Sequence, residues 1–311
     1  MAGFRVGVAS AITAQVLWGL FPVYWKLLAE LEPMEVLSHR NIWCAVCLGL
    51  LVLLSVERRK TVAGVLCSAR EIYHHLLAAC LLAGNWLVYI WAVVNDHVID
   101  ASLGYFLSPL VSVMLGYLVF QERLDWQRWS AVALAICGVL IMVVVNGVVP
   151  WIGLTLAVTF GLYGMARKKA STGPINGLFV ETLLLVPATL LAFWWLGASD
   201  MLAYQNPLGT TELLLAAGGL ATAVPLVLYA QGARALPLSF SGLLVYVTPS
   251  IQFLIGWLYY RETIELASWA GFACIWVALV IYGMAIVNKR NANGLLSSTP
   301  KPWTRSEQEH E

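Results

Sequence analysis

Four ionisable side chains lie within or beside long apolar stretches of this sequence. Glu181 lies about six residues inside one stretch, and Lys26, His39 and Arg40 cluster near the ends of two others. Ionisable groups are expensive inside a membrane, and those that occur there form ion pathways, proton relays and gates. We therefore predict that these four residues bind a substrate or gate its passage. Glu181 or His39 would also be the residue that couples transport to protons.

Each of these residues also has a structural interpretation. Glu181 fits a hydrogen-bonded group within a helix bundle as well as it fits a coupling site. The long side chains of Lys26 and Arg40 can reach the interface from a helix end. His39 can titrate near neutral pH, yet a histidine at the start of a helix is often solvated. The sequence leaves these alternatives open.

Polar and aromatic side chains recur along the apolar stretches with helical spacing. In the stretch 100–121, Ser102, Tyr105, Pro109 and Ser112 are three or four residues apart and would share one helix face. Polar groups are costly against lipid, so this face should point into the bundle. Aromatic rings with amides and hydroxyls suit a modest-sized organic solute better than a bare ion. We predict a lining that includes Asn85, Trp86, Tyr89, Asn95, Tyr105, Tyr163, Tyr229 and Tyr246.

Prolines interrupt four of the stretches that carry these residues. A proline removes one backbone donor and frees a carbonyl one turn earlier. In a membrane this is tolerated where protein or cavity water satisfies the carbonyl. We predict helix breaks at Pro22, Pro109, Pro225 and Pro249.

The sequence lacks the motifs of familiar catalytic sites. It contains no G-x-x-x-x-G-K-[ST], no H-E-x-x-H and no G-x-S-x-G. Cys44 and Cys47 form a C-x-x-C within an apolar stretch, where ordinary buried thiols are expected. His74 and His75 follow Arg70 and are expected to contact lipid headgroups rather than a metal ion. We expect no enzyme activity, no cofactor and no metal; a membrane enzyme acting on lipids and a passive channel are the alternatives to a carrier.

The composition requires a membrane protein. Of 311 residues 60% are hydrophobic and 11% are charged, which is too apolar for a soluble surface. A net charge of +1 suggests no nucleic-acid partner. A spanning helix needs about 20 mostly apolar residues. Ten such stretches are present: 7–28, 34–56, 72–94, 100–121, 127–145, 150–168, 175–196, 211–232, 238–260 and 266–287.

The distribution of basic residues predicts the orientation. If the N-terminus is cytoplasmic, ten spans put 15 of the 18 lysines and arginines on the cytoplasmic side. The exceptions are Lys26, Arg40 and Arg261. This agrees with the positive-inside rule and predicts a multi-pass protein of the bacterial inner membrane with both termini in the cytoplasm.

The two halves of the chain repeat each other at an offset of 140 residues. Pro109 and Pro249 are related in this way, as are Glu122 and Glu262. An odd number of spans per half inverts the second copy, and inverted repeats typically enclose a substrate site near the midplane. Nearer the start of each half, at an offset of 141, Arg40 corresponds to Glu181, so the two should lie at opposite depths and not pair. Glu122 and Glu262 would be charged helix ends or, alternatively, parts of a gate salt bridge.

The predicted fold is an all-α membrane protein with ten transmembrane helices in two inverted five-helix repeats. The repeats comprise residues 1–146 and 147–288, and residues 289–311 form a disordered cytoplasmic tail. The fifth and tenth stretches lack polar lining residues. We expect them to support the bundle, to contact a second copy in a homodimer, or to face lipid.

Several short motifs resemble those of a known family. They include G-N-W-L-V-Y-I-W-A-V at 84–93, A-S-L-G-Y-F at 101–106 and Y-G-M-A-R-K-K at 163–169. With E-T at 181–182 and V-P-L at 224–226, they resemble the RarD-type chloramphenicol-sensitivity permeases, in the EamA group of the drug/metabolite transporter superfamily. The resemblance implies a ten-helix inner-membrane carrier of two inverted repeats with a central cavity lined by helices 1, 3, 4, 6, 8 and 9. It implies a carrier of small organic solutes that works by alternating access. The family name implies a connection with chloramphenicol, but it identifies no physiological solute.

Overall fold

The computed structural model describes residues 2–121, 124–170, 172–199, 209–235 and 244–297, and all regular secondary structure in these ranges is helical. The helices are α1 (Ala2–Gly19), α2 (Phe21–Lys26), α3 (Pro33–Leu53), α4 (Val56–Leu66), α5 (Ala69–Val94), α6 (Val98–Phe120), α7 (Trp126–Asn146), α8 (Trp151–Lys169), α9 (Pro174–Ala198), α10 (Thr210–Ala235), α11 (Val247–Leu254) and α12 (Leu266–Ser297). A π-helical turn, Ile255–Tyr259, continues α11.

Eight helical segments of the described chain are long and apolar enough to cross a membrane. The predicted stretch at 150–168 forms α8, whose C-terminal end carries Arg167 and Lys168 and is less apolar than the others. The predicted stretch at 238–260 falls partly outside the described residues. The protein is therefore an all-helical multi-pass protein, and the count of ten crossings stays a prediction.

Two local features depart from the predicted stretches. The first stretch contains two helices, because α1 ends at Gly19 and α2 begins at Phe21 with Pro22 in its first turn. The segment between the second and third stretches contains the additional helix α4. The hydroxyl of Ser55 accepts a hydrogen bond from the backbone N–H of Arg58 at 3.4 Å and caps this helix. Apolar length alone does not detect such a short, charged helix.

Small residues allow the helices to approach closely. On α7, a Cβ at Gly138 would lie 2.8 Å from the carbonyl oxygen of Gly271 on α12. On α6, a Cβ at Gly104 would lie 2.7 Å from the carbonyl oxygen of Gly153 on α8. Membrane helices associate through such close backbone contacts. As a result α7 pairs with α12, and α6 packs along α8.

The remaining helices form the interior of the bundle. α1 packs against α10 and α11, whereas α8 packs against α5 and α6. α3 contacts both α9 and α10, and α5 contacts α3 and α9. The largest buried cluster lies among these helices and contains Trp25, Trp86 and Tyr89.

Candidate functional site

Arg40 on α3 packs against aromatic rings of this buried cluster, with 3% of its surface exposed. The guanidinium carbon lies 3.8 Å from the centre of the Trp86 ring on α5, and 5.0 Å and 5.5 Å from the ring centres of Trp25 and Phe21 on α2. Its Nε donates a hydrogen bond to the hydroxyl of Thr222 on α10 at 3.0 Å. A charge held over aromatic faces is stabilised by cation–π attraction, most strongly where water is excluded.

The charge of Arg40 is nevertheless incompletely matched. Its Nη1 is buried and has no hydrogen-bond acceptor in the described structure. None of the ion pairs found among the described residues includes Arg40. The predicted absence of an Arg40–Glu181 pair agrees with this geometry, since the two residues lie in separate clusters.

A polar network of amides and phenols surrounds the same region. Asn85 on α5 donates to the hydroxyl of Thr159 on α8 at 2.9 Å and accepts from the hydroxyl of Tyr105 on α6 at 3.3 Å. The Tyr89 and Tyr105 rings meet edge to face, 5.6 Å between centres. Gln252 on α11 donates to the Tyr89 hydroxyl at 3.0 Å. Four helices thus contribute polar groups to one layer. Together with Arg40 and its aromatic neighbours, this layer is the central layer of the bundle, or Arg40 layer.

α1 joins this layer through its own amide. The hydroxyl of Thr248 on α11 donates to the side-chain oxygen of Gln15 at 2.7 Å. Gln252 also donates to the backbone oxygen of Trp18 at 3.2 Å. The Trp18 ring lies 5.7 Å from the ring of Tyr229 on α10. These contacts connect α1, α10 and α11 around the central layer.

A second buried cluster surrounds Glu181 near the start of α9. Its Oε1 lies 3.2 Å from Nη1 of Arg167 and 3.4 Å from Nδ1 of His75. Its Oε2 accepts from the hydroxyl of Tyr163 at 3.1 Å. Glu181 and His75 are both fully buried. The cluster therefore connects α5, α8 and α9 with charge-assisted hydrogen bonds.

Arg167 extends this cluster into the connection between α8 and α9. Its Nη2 donates to the backbone oxygens of Thr172 and Gly173, each at 3.2 Å. The Thr172 hydroxyl lies 3.1 Å from Nε2 of His75. Our expectation that His75 contacts lipid headgroups is wrong, because His75 is fully buried and both of its ring nitrogens face polar side chains of the protein.

Lys26 and Asp96 mark the opposite end of α5. Lys26 Nζ lies 2.6 Å from a carboxylate oxygen of Asp96 and donates to the backbone oxygens of Val93 and Val94 at 3.1 and 3.2 Å. A cation at this position binds carbonyls that a helix C-terminus leaves free. Because the side chain of Asp96 is 70% exposed, the ion pair itself contributes little, at most about 1 kcal/mol.

Glu262 binds the first turn of α6 at the same end of the molecule. Its two carboxylate oxygens accept from the backbone N–H groups of Val98 and Ile99, both at 2.8 Å. Burial raises the pKa of Glu262, and these two hydrogen bonds oppose that shift. A Cβ at Gly256 would lie 3.2 Å from the Ile99 nitrogen. Glu262 is therefore a remote helix cap rather than a simple charged helix end, and Glu122 lies outside the described residues.

α5 takes part in three of these sites: the Glu181 cluster, the Arg40 layer and the Lys26 contact. His75 and Trp86 are eleven residues apart, which corresponds to about 16 Å along a helix. Trp86 and Val94 are eight residues apart, or about 12 Å. The Glu181 cluster, the Arg40 layer and the Lys26 contact therefore follow one another along one helix. The central layer therefore lies between the Glu181 cluster and the Lys26 contact along α5.

Several predicted residues lie away from the central layer. Asn95 is exposed and donates to the Trp91 oxygen at 2.8 Å, so it caps α5. His39 meets the ring of Phe193 on α9 edge to face, 4.9 Å between centres. Tyr246 packs in a different cluster, between α6 and α12. A cleft of about 530 Å³ beside Tyr246 is lined mainly by apolar side chains and does not include Arg40.

The four prolines lie at different positions in their helices. Pro22 occurs in the first turn of α2, and Pro249 in the first turn of α11. α6 and α10 continue through Pro109 and Pro225, so the predicted helix breaks at these two prolines are wrong. At Pro109 the carbonyl of Tyr105 loses its usual backbone donor, and the Ser108 hydroxyl donates to it instead at 3.0 Å. This substitution allows α6 to stay helical.

Several residues of these clusters were not among the predicted site residues, and they include Arg167, His75, Thr222 and Gln252. The signal for His75 was present, because the eleven residues that separate it from Trp86 make just over three helical turns and return to the same face. Thr222 and Gln252 are polar positions within apolar stretches. Their contacts with Arg40 and Tyr89 join segments more than 160 residues apart.

Comparison with known proteins connects this arrangement to a family. The model of the EamA-like transporter family matches residues 5–144 and 149–284. Protein RarD of Streptomyces exfoliatus is 41% identical over 277 residues, which cover 89% of this chain and 88% of the relative. An uncharacterized transporter of Vibrio cholerae serotype O1 is 41% identical over 282 residues, covering 90% of this chain and 92% of the relative.

The fold also has a counterpart among solved structures. One crystal structure superposes with a TM-score of 0.56 at 16% identity, over 88% of this chain and 96% of that chain. This similarity concerns the fold alone. Because the family model covers both halves and the relatives match over most of their length, the chain belongs to the EamA-like transporter family and is a multi-pass membrane transporter of the drug/metabolite type.

Proposed function

We propose that this protein is a secondary transporter of small organic solutes in the bacterial inner membrane, and that it works by alternating access. The observation that carries the proposal is the buried Arg40 layer, which is lined by aromatic rings and amides and lies between the Glu181 cluster and the Lys26 contact. A carrier needs such a site, accessible from one side at a time.

The packing of the helices supports an exchange between the two halves. The 140-residue offset relates α1 to α8, α3 to α9, α5 to α10, and α6 to α11. The contact of α1 with α10 then corresponds to that of α8 with α5, and the contact of α3 with α10 corresponds to that of α9 with α5. The two halves can therefore interchange their packing, which is how an inverted repeat produces two access states.

The two ends of α5 would act as gates. The Glu181 cluster holds α5, α8 and α9 together, and its opening would expose the central layer to one side. On the other side of the central layer, Lys26 binds the C-terminal end of α5 and Glu262 binds the N-terminal end of α6.

Counterflow in proteoliposomes tests the proposal. Candidate solutes, including chloramphenicol and aromatic acids, are first screened for thermal stabilisation of the purified protein. Vesicles loaded with an unlabelled hit are then diluted into a trace of the labelled compound. A carrier accumulates the label transiently, because outward flux of unlabelled solute drives inward exchange. A channel only equilibrates the label, and this result would reject alternating access.

A further inference from the structure

We propose that Arg40 binds the carboxylate of the transported solute, so that the substrates are organic monoanions with an aromatic or apolar body. This inference rests on the proposed transport function and adds the chemical class of its substrate. It starts from the unmatched charge of Arg40, not from the aromatic lining alone.

The buried charge of Arg40 lacks a full set of partners. Arg40 is 3% exposed, and one of its two terminal nitrogens has no acceptor among the described residues. Removing a charge from water is costly unless a counter-ion or hydrogen bonds compensate for it. Thr222 and the Trp86 ring compensate in part. An anion supplied by the solute would complete the compensation.

The arrangement of the N–H donors of Arg40 suits a carboxylate. A guanidinium carries five N–H donors in a planar fork; within the described part of the chain Nε–H donates to Thr222, and Nη1 is buried without an acceptor. The unused donors match the two oxygens of a carboxylate, which arginine binds with two parallel hydrogen bonds. A single cation balances one negative charge, so a monoanion fits better than a phosphate dianion.

The side chains around the guanidinium suit an aromatic or apolar body of the solute. The rings of Trp25, Trp86 and Phe21 surround the guanidinium, and Tyr89 and Tyr105 belong to the same cluster. Aromatic faces bind planar apolar groups. The amide of Asn85 and the phenols can bind a polar substituent. An aromatic acid combines these properties, whereas an inorganic anion would use only the charge.

Matched acid and amide pairs test the inference on the purified wild-type protein. Binding of indole-3-acetate, phenylacetate and benzoate is compared with binding of their neutral amides by calorimetry and thermal stabilisation. We expect at least one acid to bind about tenfold or more tightly than its amide, since a charge-assisted hydrogen bond is lost with the charge. Equal binding of acid and amide in every pair, or no binding at all, would overturn the inference.

Variants then assign the preference to Arg40. Arg40→Gln should remove the preference for the acid, and Arg40→Lys should retain part of it, because lysine keeps the charge but not the fork. Arg70→Gln, at an exposed position, makes the same charge change and should leave the preference intact. A folded Arg40→Gln protein that still prefers the acid contradicts the assignment. If this variant does not fold, the wild-type comparison decides.

Three further results separate this inference from its alternatives. Chloride that stabilises the protein as strongly as the acid at the same concentration would identify an inorganic counter-ion and overturn the inference. Counterflow with a neutral solute, without any acid preference, would preserve the proposed transport function and reject the substrate class. Loss of counterflow for every solute would reject the transport function itself, even if acids bind at Arg40.

Discussion

The guanidinium of Arg167 occupies the space that a Cβ would fill at Gly177. The two residues lie on neighbouring helices, and any side chain at position 177 would overlap the terminal nitrogens of Arg167. Glu181, one turn further along α9, lies 3.2 Å from the same guanidinium. A glycine thus makes the close approach of α8 and α9 compatible with a buried ion pair between them.

Gly177→Ala should displace Arg167 and destabilise the protein. The expected loss is about 1–3 kcal/mol, because the Arg167 guanidinium, the end of a flexible side chain, can shift but would then bind Glu181 less well. Thermal unfolding of the purified protein measures this loss. Gly164→Ala on α8 is the matched control, since a Cβ there meets no atom within 4 Å. Equal melting temperatures for the two variants would contradict the steric argument.

Arg167 and Glu181 should show strong energetic coupling. Arg167→Gln leaves the fully buried Glu181 with His75 and Tyr163 alone, and should destabilise the protein more than Glu181→Gln does. The double variant should recover about 1–3 kcal/mol relative to the sum of the single changes. A double-mutant cycle of thermal or denaturant unfolding measures this coupling. Additive effects would show that the two side chains act independently.

If the Glu181 cluster is a gate, these variants should also alter exchange. Loosening one end of α5 changes the balance between the two access states, and the rate of counterflow should change with it. A change in stability without a change in counterflow would mean that the cluster is only structural. Arg70→Gln again serves as an exposed control.

Glu262 should make stability depend on pH. Burial raises its pKa above the ordinary value of 4.5, so above this value the folded protein binds more protons at this site than the unfolded chain. The contribution of Glu262 to the free energy of unfolding is therefore largest below pH 4.5 and is lost as pH rises through the folded pKa. Glu262→Gln should remove this slope.

Thermal unfolding across this pH range compares the wild type with two variants. Glu265→Gln, at an exposed position a few residues away, should retain the wild-type slope. Glu262→Gln should also lower stability by about 1 kcal/mol, because an amide cannot accept from both Val98 and Ile99. An unchanged slope in Glu262→Gln would mean that another group causes the pH dependence.

Thiol labelling should place two exposed positions, Cys67 and Val148, on opposite sides of the membrane. The predicted inverted topology puts Cys67, after α4, in the cytoplasm and the segment between α7 and α8 outside. Val148 in that segment is 67% exposed, so Val148→Cys in a cysteine-free background should react with a membrane-impermeant maleimide in intact cells. Cys67 alone should react only after permeabilisation. Labelling of both sites in intact cells, or of neither, would reject the topology.

The sequence alone determined the class of the protein and many of its interior positions. Apolar length predicts membrane helices, because a buried backbone in lipid must form its own hydrogen bonds. Polar groups at helical spacing identified Asn85, Tyr89 and Tyr105, which the structure brings into one layer. These inferences depend on local periodicity and on the cost of exposing polar groups to lipid, both of which can be evaluated within one stretch.

Only the tertiary structure decided which side chains meet. His75 precedes Glu181 by 106 residues and Thr222 follows Arg40 by 182, so no local pattern predicts these contacts. The role of Glu262 was equally hidden, since its partners are backbone groups of a distant helix. Burial also depends on the neighbouring helices: His75 lies near the start of α5, yet α8 and α9 cover it completely. Local sequence determines which groups need partners, whereas helix packing determines which partners they find.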